Sequence, residues 1–243
     1  AATTEGDVTK AALPFDDRRH GMILGSGATA MVLERAEDAA DRGVVPLADL
    51  LGVEVANSAH HPTRLDVEHI AGLLDRLVGR VEGAYEVDRH DLARRSVFVS
   101  HETFTPKRGG SASAEIACLR KAFGDTANEI VVTNLKGFTG HPMGAALEDG
   151  VAVKMLHQQQ LPPIPHLEQP DEELGDLHLS DGTATDVDYA IRVAAGFGSQ
   201  IAFEIWRRRS RSPERLHMAA YQRWLGRVTG FDSPELTVEQ RVL

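Results

Sequence analysis

The amino-acid sequence predicts an α/β fold, because two kinds of segment recur along its 243 residues. Short runs rich in β-branched residues, such as Ser96–Ser100 and Glu129–Thr133, predict buried strands. Segments that repeat apolar residues at helical spacing, such as Asp66–Arg80 and Met143–Gln160, predict helices with one face in the core. A histidine, His101, follows the first of these strands directly, at the end where open α/β sheets bind ligands.

The N-terminal segments predict short strands and one helix. After a polar lead-in over residues 1 to 12, Met22–Leu24 and Ala28–Leu33 predict two strands on either side of a glycine turn at residues 25–27. Arg35–Arg42 predicts a helix that ends at Gly43. Leu47–Asn57 predicts a long strand, and its apolar content suggests burial between two layers. His60 and His61, which follow that strand, lack a spaced third ligand and predict a surface loop rather than a metal site.

The stretch from Val132 to Ala146 predicts an active-site loop between a strand and a helix. It contains Lys136, His141 and three glycines, and Pro142 suits the first position of the following helix. A histidine at the positive end of a helix dipole is disfavoured as an imidazolium. We therefore expect a neutral His141 that donates one hydrogen bond to an oxyanion or enolate.

The C-terminal third predicts a surface connection, a strand pair and a basic extension. Residues 161–187 are rich in proline and acidic residues and predict a meandering segment with a short strand near Ile164. Tyr189–Ala195 and Ile201–Trp206 predict an antiparallel pair around a glycine-rich turn. Residues 207–243 predict a basic linker, a short helix ending at Gly230 and, from Leu236, the start of a following domain.

Composition limits the class of protein. The net charge of −10 disfavours nucleic-acid and anionic-membrane partners, and no run approaches about 18 apolar residues. The single cysteine, Cys118, excludes internal disulfides and a multi-thiolate metal site, and it agrees with a reducing cytoplasm. The first residues resemble neither a signal peptide nor a starting methionine, so we expect this sequence to be part of a longer chain.

Several motifs, in order, resemble those of β-ketoacyl synthases, the condensing enzymes of fatty-acid and polyketide assembly. Residues 134–146 are similar to the second histidine motif of that family, and residues 100–105 are similar to its first, about 40 residues upstream. Residues 14–16, the glycines at 25 and 27, residues 109–110 with Glu115, and residues 196–199 agree with the same order. The resemblance covers roughly residues 13 to 206.

The resemblance implies a thiolase-like fold with layered α-β-α-β-α architecture, of which residues 1–206 supply mainly the C-terminal half. It implies a decarboxylative Claisen condensation between an acyl thioester and a malonyl-type extender on acyl carrier protein. His101 and His141 would stabilise the enolate and the oxyanion, and Lys136 would orient the loop and adjust its charge. No metal and no directly bound cofactor are implied, because the phosphopantetheine arm belongs to the carrier protein.

The remaining implied site residues line the path of that arm. Thr103 and Thr105 resemble the two threonines that contact phosphopantetheine, and Gly196, Phe197 and Gly198 resemble the gating loop with its aromatic gate. The family nucleophile lies in a cysteine elbow upstream of residues 14–16, so the enzyme would be incomplete in this chain. Cys118 sits mid-helix without a glycine turn and is expected to be a buried structural residue.

The resemblance also implies partners and leaves alternatives open. Expected partners are an acyl carrier protein, the N-terminal half of the same ketosynthase and, in the full enzyme, a second copy as a homodimer in the cytoplasm. A non-condensing partner subunit of the chain-length-factor type is the alternative, and an unrelated thioester hydrolase or thiolase is a third. Glu102 replaces a family glycine, and the loop at residues 106–113 lacks the family aspartate, so the substrate path is expected to be remodelled.

Overall fold

The structure is a computed structural model of the chain. It describes residues 3–106, 110–144, 146–210, 215–232, 234–235 and 237. Gly109, the middle of the predicted basic linker (residues 211–214) and nearly all of the predicted start of a following domain (Leu236 to Leu243) lie outside these residues.

A mixed sheet forms the centre of the described part of the chain. Its spatial order is β1-β6-β5-β2-β3-β4. Strands β5, β2, β3 and β4 run parallel to one another, whereas β6 pairs antiparallel with β5 and with β1. The strands are β1 (Ala48–Asn57), β2 (Ser96–Val99), β3 (Val131–Thr133), β4 (His178–Leu179), β5 (Tyr189–Gly196) and β6 (Gln200–Arg208).

Helices cover both faces of this sheet, which is therefore the middle of three layers. The helices are α1 (Val8–Ala11), α2 (Ala36–Asp41), α3 (Val67–Tyr85), α4 (Arg89–Arg94), α5 (Ser111–Phe123), α6 (Lys136–Thr139), α7 (Ala146–Gln158) and α8 (Met218–Thr229), with short 3₁₀ turns at Gly124–Glu129 and Glu172–Leu174. Helices α3 and α5 share one core with Phe98, Ile191 and Phe203. Helix α7 shares a second core with Val99 and Trp206 on the opposite face. Side chains alternate between faces along a strand, so Phe98 and Val99 enter different cores.

The strongest sequence patterns are confirmed by the structure. Asp66 caps α3 by accepting a hydrogen bond from the His69 backbone, and the predicted apolar stripe is buried. The predicted hairpin is present as β5 and β6. The predicted final helix is α8, and it ends at Gly230, whose positive φ of 76° suits glycine. This helix lies against α2, where Arg227 pairs with Asp41 at 2.6 Å.

Three predicted strands are absent from the described residues, and a fourth is buried only in part. Met22 and Leu24 make only single bridges, and residues 25–35 form no strand with any described residue. No strand forms at Ile164, whose backbone N–H instead donates to the Ser180 carbonyl beside β4. Strand β1 is buried between layers only in its first half: Leu51 belongs to one core and Leu50 packs against the other, whereas Val55 is 72% exposed. A β-branched run indicates that a segment can be extended, but pairing requires a neighbour in space.

Candidate active site

The carboxyl ends of three parallel strands meet at one edge of the sheet, and the histidines and lysine singled out by sequence lie there. His101 follows β2, Lys136 follows β3, and the glycine-rich turn begins at Gly196, the last residue of β5. Because these strands are parallel and adjacent, the residues that follow their carboxyl ends lie side by side. The rings of His101 and His141 are 5.4 Å apart between centroids and stand perpendicular to each other.

His101 is held at its backbone and at its ring. Its backbone N–H donates to Oε2 of Glu115 at 2.9 Å, and its Nδ1 accepts from the Ala195 backbone N–H at 3.4 Å. Because Nδ1 accepts, the proton of the neutral ring resides on Nε2. Burial holds the pKa of His101 well below its usual value of 6.5, and the charges of Lys136 and Arg192 lower this pKa further.

His141 is fixed by its main chain rather than by a helix. Its N–H donates to the Ile23 carbonyl at 2.8 Å, and its carbonyl accepts from Gly25 at 3.0 Å. Burial lowers the pKa of the ring, and the charge of Lys136 adds to this effect. The expected neutral state therefore has burial as its main cause.

The predicted helix start at Pro142 is wrong. The described helix α7 begins at Ala146, and Met143 has a positive φ of 58° that no α-helix contains. His141 thus lies before an irregular loop, and a helix dipole directly behind its ring is not what keeps it neutral.

Lys136 is buried, with 1% of its side chain exposed, and faces Glu148 of α7. Its Nζ lies 2.6 Å from Oε1 of Glu148. Burial lowers the pKa of Lys136, and the Glu148 carboxylate opposes that shift. The helix α6 that carries Lys136 fits against the chain so closely that a Cβ on Gly137 would meet Pro165 at 2.1 Å. The glycine after the lysine is therefore required by packing.

Sequence patterns did not identify Arg192 and Asp149, which extend this ion pair. Nη2 of Arg192 lies 3.4 Å from Oε2 of Glu148, and its Nε lies 2.8 Å from Oδ1 of Asp149. Arg192 is 2% exposed, and burial raises the pKa of Asp149 to about 6. Arg192 is a single charged residue in the otherwise apolar strand β5. Nothing in the sequence around it indicates which carboxylates it pairs with in the fold.

Glu115 is placed by the structure directly behind His101. It accepts from Ser100 Oγ at 2.7 Å as well as from the His101 backbone. Burial raises the pKa of Glu115 to about 7, and the neighbouring Glu102 charge acts in the same direction. The family motifs singled out Glu115 in sequence, but its contact with the residues at the end of β2 was not predictable from spacing.

Glu102 follows the end of β2, and its side chain contacts α5 rather than lining the cavity beside the histidines. Its Oε2 accepts from Ser111 Oγ at 2.8 Å and from the Ala112 backbone at 3.1 Å, at the first turn of α5. Its Oε1 lies 3.6 Å from Nε of Arg19, which is itself paired with Asp171. Glu102 is fully buried in this position.

A cavity of about 830 Å³ opens beside the two histidines. Thr103, Thr105, Gly196 and Phe197 line it together with His101 and His141, and Phe197 is 58% exposed. Gly198 is not part of the wall. Its N–H instead donates to the Pro62 carbonyl at 2.9 Å. Six of the eight residues expected at the site thus border one space, Lys136 lies behind it, and Gly198 anchors the turn.

The loop at residues 58–65 borders this cavity through residues 61–65, and this contact was not anticipated from sequence. The hydroxyl of Ser199 accepts from the His61 N–H at 2.9 Å and donates to the His61 carbonyl at 2.7 Å. The exposed Arg64 also borders the cavity. Within the part of the chain that the structure describes, His60 and His61 belong to no group of three or more metal-binding side chains.

Cys118 is buried within α5 and does not line the cavity. Burial raises the pKa of its thiol, and the charge of Glu115 adds to that shift. A thiol in this state is a poor nucleophile. The helices within the described ranges also lack any that is both long and apolar enough to cross a membrane.

Comparison with known proteins gives the site a family context. Residues 101–168 match the family model described as Beta-ketoacyl synthase, C-terminal domain. The 3-oxoacyl-[acyl-carrier-protein] synthase 2 of Vibrio harveyi is 34% identical over 203 residues, which are 81% of this chain and 46% of that protein. The protein of the same name from Coxiella burnetii is 29% identical, with 81% and 46% covered.

Solved structures agree on the fold. A β-ketoacyl synthase from Burkholderia phymatum matches with a TM-score of 0.73 at 24% identity, covering 86% of this chain and 49% of that one. The ishigamide ketosynthase/chain length factor matches with a TM-score of 0.72 at 24% identity, covering 86% and 49%. A type II ketosynthase in complex with its acyl-carrier protein matches with a TM-score of 0.72 at 21% identity, covering 85% and 49%.

The layered sheet and the site at its carboxyl edge place the chain in the thiolase-like class of folds. Within that class it corresponds, in sequence and in fold, to the C-terminal part of a β-ketoacyl synthase. The chain spans about half the length of the curated relatives it matches.

Proposed function

We propose that this chain supplies the histidine-bearing part of a β-ketoacyl synthase, an acyltransferase that condenses an acyl thioester with a malonyl-type extender on acyl carrier protein. The observation that carries the proposal is the pair of perpendicular, low-pKa histidine rings 5.4 Å apart beside a buried lysine and a cavity. The names of the curated relatives support the same reaction class.

The chemistry requires two hydrogen-bond donors where negative charge develops. Loss of carbon dioxide from a malonyl thioester leaves an electron pair that is delocalised onto the thioester oxygen as an enolate. The Nε2–H of His101 is free to donate to that oxygen, because Nδ1 is occupied by Ala195. His141 contributes the second donor from the facing ring. The enolate carbon then attacks the acyl thioester, and the thiolate that held the acyl group leaves.

The cavity suits a long, polar thioester arm. Thr103 and Thr105 line this cavity together with the histidines, and their hydroxyl groups would contact a phosphopantetheine arm that enters it. Phe197 at the exposed end of the same wall would act as the gate, with Gly196 and Gly198 shaping the turn that carries it. The partner would be an acyl carrier protein, as in the structurally similar ketosynthase complex.

An N-terminal half must complete the enzyme in this proposal. Residues 26–34 make no backbone hydrogen bond to another described residue, and Val32 and Leu33 are 89% and 66% exposed. An extended, unpaired and apolar segment is suited to pairing with a further strand. We propose that the missing half covers it and provides the cysteine nucleophile, and that the complete enzyme assembles as a homodimer in the cytoplasm.

A non-condensing partner subunit is the second candidate. The similarity to a ketosynthase/chain length factor structure and the glutamate in place of a glycine at residue 102 favour it. The retained pair of histidines with their lysine favours the enzyme. The residue in the nucleophile elbow of the complete protein separates the two, because a cysteine supports condensation and a glutamine or serine supports the partner subunit.

The test measures carbon dioxide release from malonyl-carrier protein by the complete protein. We expect His101→Ala and His141→Ala each to lower the rate by about 10²- to 10⁴-fold, because each removes a donor or proton-transfer group. The matched control is His178→Ala in β4, an exposed histidine at the far edge of the sheet, which should leave the rate unchanged. A complete protein that contains the cysteine and releases no carbon dioxide would refute the proposed function.

A further inference from the structure

A row of four buried charges adjoins the two histidines, and only part of it belongs to the lysine motif. Arg192 borders the cavity itself, whereas the other three members are not part of its wall. Lys136 contacts Glu148, Glu148 contacts Arg192, and Arg192 contacts Asp149. Building on the proposed function, we propose that Arg192 and Asp149 are positioning residues. They lock Glu148 against Lys136 and set the number of positive charges that act on the histidine rings.

The geometry shows how Arg192 holds the carboxylate. Glu148 receives Lys136 at Oε1 and Arg192 at Oε2, so its two oxygens are directed to different cations. Arg192 in turn uses its Nε edge for Asp149 at 2.8 Å. With all four groups ionised, the row contains two positive and two negative charges. Such a row is costly to bury unless every member is paired, and removing one member therefore affects the others.

The charge state matters because His101 depends on one hydrogen bond that protonation would destroy. Nδ1 of His101 accepts from the Ala195 N–H at 3.4 Å. A proton on Nδ1 would turn two N–H groups toward each other and release the ring from its orientation. A positive charge nearby opposes this protonation.

The charged and titratable groups that face His101 come from each element packed against it. They are Lys136 of α6, Arg192 of β5, the ring of His141 and, at its backbone, Glu115 of α5. Of these, Lys136 and Arg192 are the cations that lower the pKa of His101, after burial. Removing the Arg192 charge should therefore raise that pKa, whereas removing the negative charge of Asp149 should leave it unchanged or lower it.

These opposite signs separate a charge-setting role from a merely structural one. Arg192→Met and Asp149→Asn break the same ion pair, so a structural role predicts that both disturb His101 in the same direction. Arg192→Lys keeps the charge and loses the planar fork. The matched control is Arg208→Met in β6, another buried arginine paired with two aspartates, at the opposite end of the strand from the cavity.

The experiment follows the His101 ring by NMR titration in the complete protein, together with the pH profile of carbon dioxide release from malonyl-carrier protein. Arg192→Met should raise the apparent pKa of His101 by about 1 and move the acid limb of the rate profile upward in pH by the same amount. Asp149→Asn should raise neither the pKa of His101 nor the acid limb of the rate profile. Arg192→Lys should give values close to those of the unchanged protein for both. Arg208→Met should lower the thermal midpoint without moving the pKa of His101.

Upward movement for both Arg192→Met and Asp149→Asn, or no movement for Arg192→Met, would overturn the inference. If Arg192→Met does not fold, Arg192→Gln removes the same charge and takes its place, and a His101 pKa that does not rise in that variant would overturn the inference. The charge-setting role and the condensing function can be refuted independently of each other. The expected NMR shifts in a protein that releases no carbon dioxide would refute the condensing function and leave the charge-setting role in place.

Discussion

Glu102 shows at the scale of a single residue how the chain accommodates a departure from the family pattern. Helix α5 begins after Gly110, which provides no side-chain cap. The Glu102 carboxylate supplies acceptors to Ser111 and Ala112 in that first turn. An acidic group near a helix N-terminus satisfies free N–H groups and complements the dipole. The glutamate thus caps the helix from a position outside it.

We therefore predict that Glu102→Gly weakens the fold more than the chemistry. Losing the cap should lower the free energy of unfolding of the complete protein by about 1–3 kcal/mol. Carbon dioxide release from malonyl-carrier protein should change by less than about tenfold, in contrast to the much larger loss for His101→Ala. Glu102→Gln is the matched control, because its amide oxygen can accept the same two bonds and should recover most of the stability.

Chemical denaturation and the decarboxylation rate check this prediction together. Equal losses of rate for Glu102→Gly and His101→Ala would make Glu102 part of the site, and the chemistry would then involve a carboxylate.

Residues with a motif around them were predictable from sequence, and residues that act through three-dimensional contacts were not. His101, His141 and Lys136 stand in patterns that specify a strand end and a loop, so their meeting at one sheet edge could be anticipated. Arg192 and Asp149 lie 43 positions apart in the numbering, and neither carries a local pattern. Their pairing depends on how α7 crosses the sheet, which periodicity alone does not determine.

At the scale of elements, the turn at residues 196–200 and the loop at residues 58–65 are joined into one unit. Besides the two bonds of the Ser199 hydroxyl, Gly198 donates to Pro62 and Ser58 donates to the Ser199 carbonyl. Ser199 has a positive φ of 65°, so it holds this contact in a conformation that glycine would adopt more easily. Movement of Phe197 as a gate would therefore have to carry the loop with it or break these bonds.

We predict that Ser199→Ala loosens the loop without unfolding the protein. The substitution removes both hydroxyl bonds, each worth about 0.5–1.5 kcal/mol net, and keeps the two backbone bonds and the Cβ. Amide exchange at His61 and its neighbours should become about five- to a hundredfold faster, because local opening costs less.

Hydrogen exchange followed by mass spectrometry on the complete protein measures this effect. Ser180→Ala is a suitable control, since Ser180 is also buried but lies beside β4. Unchanged exchange in residues 58–65 of the Ser199 variant would show that the hydroxyl is not what holds loop and turn together.

Helices and strands with a strong local sequence pattern were predicted correctly. Segments with a weaker pattern were not, because their structure depends on contacts with distant parts of the chain. Helix α3 has a cap and a full apolar stripe, and the β5–β6 hairpin has a turn and two apolar runs. Residues 28–33 have the composition of a strand but no described partner, and Ile164 lies beside β4 without joining it. Both errors concern pairing, which depends on distant parts of the chain.

At the scale of the whole molecule, one side of the chain has the exposed apolar side chains of the interface that we propose for it. Leu24, Val32 and Leu33 expose apolar side chains next to the backbone of residues 26–34, which lacks hydrogen-bond partners among the described residues. The opposite faces of the sheet are closed by α3, α5 and α7 around two complete cores. The incomplete side lies next to His141, because Ile23 and Gly25 hold that residue.

We predict that residues 1–243 alone neither form an acyl-enzyme nor elongate an acyl thioester. The single cysteine is buried in α5 with a raised pKa, so its thiolate is scarce and inaccessible. The segment that positions His141 is also left partly uncovered. Incubation with an acyl thioester followed by intact-mass spectrometry should show no added acyl group, and addition of the N-terminal half carrying the nucleophile should restore acylation on that half. Cys118→Ala provides the control, since it should change neither result. Acylation of Cys118 followed by elongation would refute both the assignment of this cysteine as structural and the requirement for a second half.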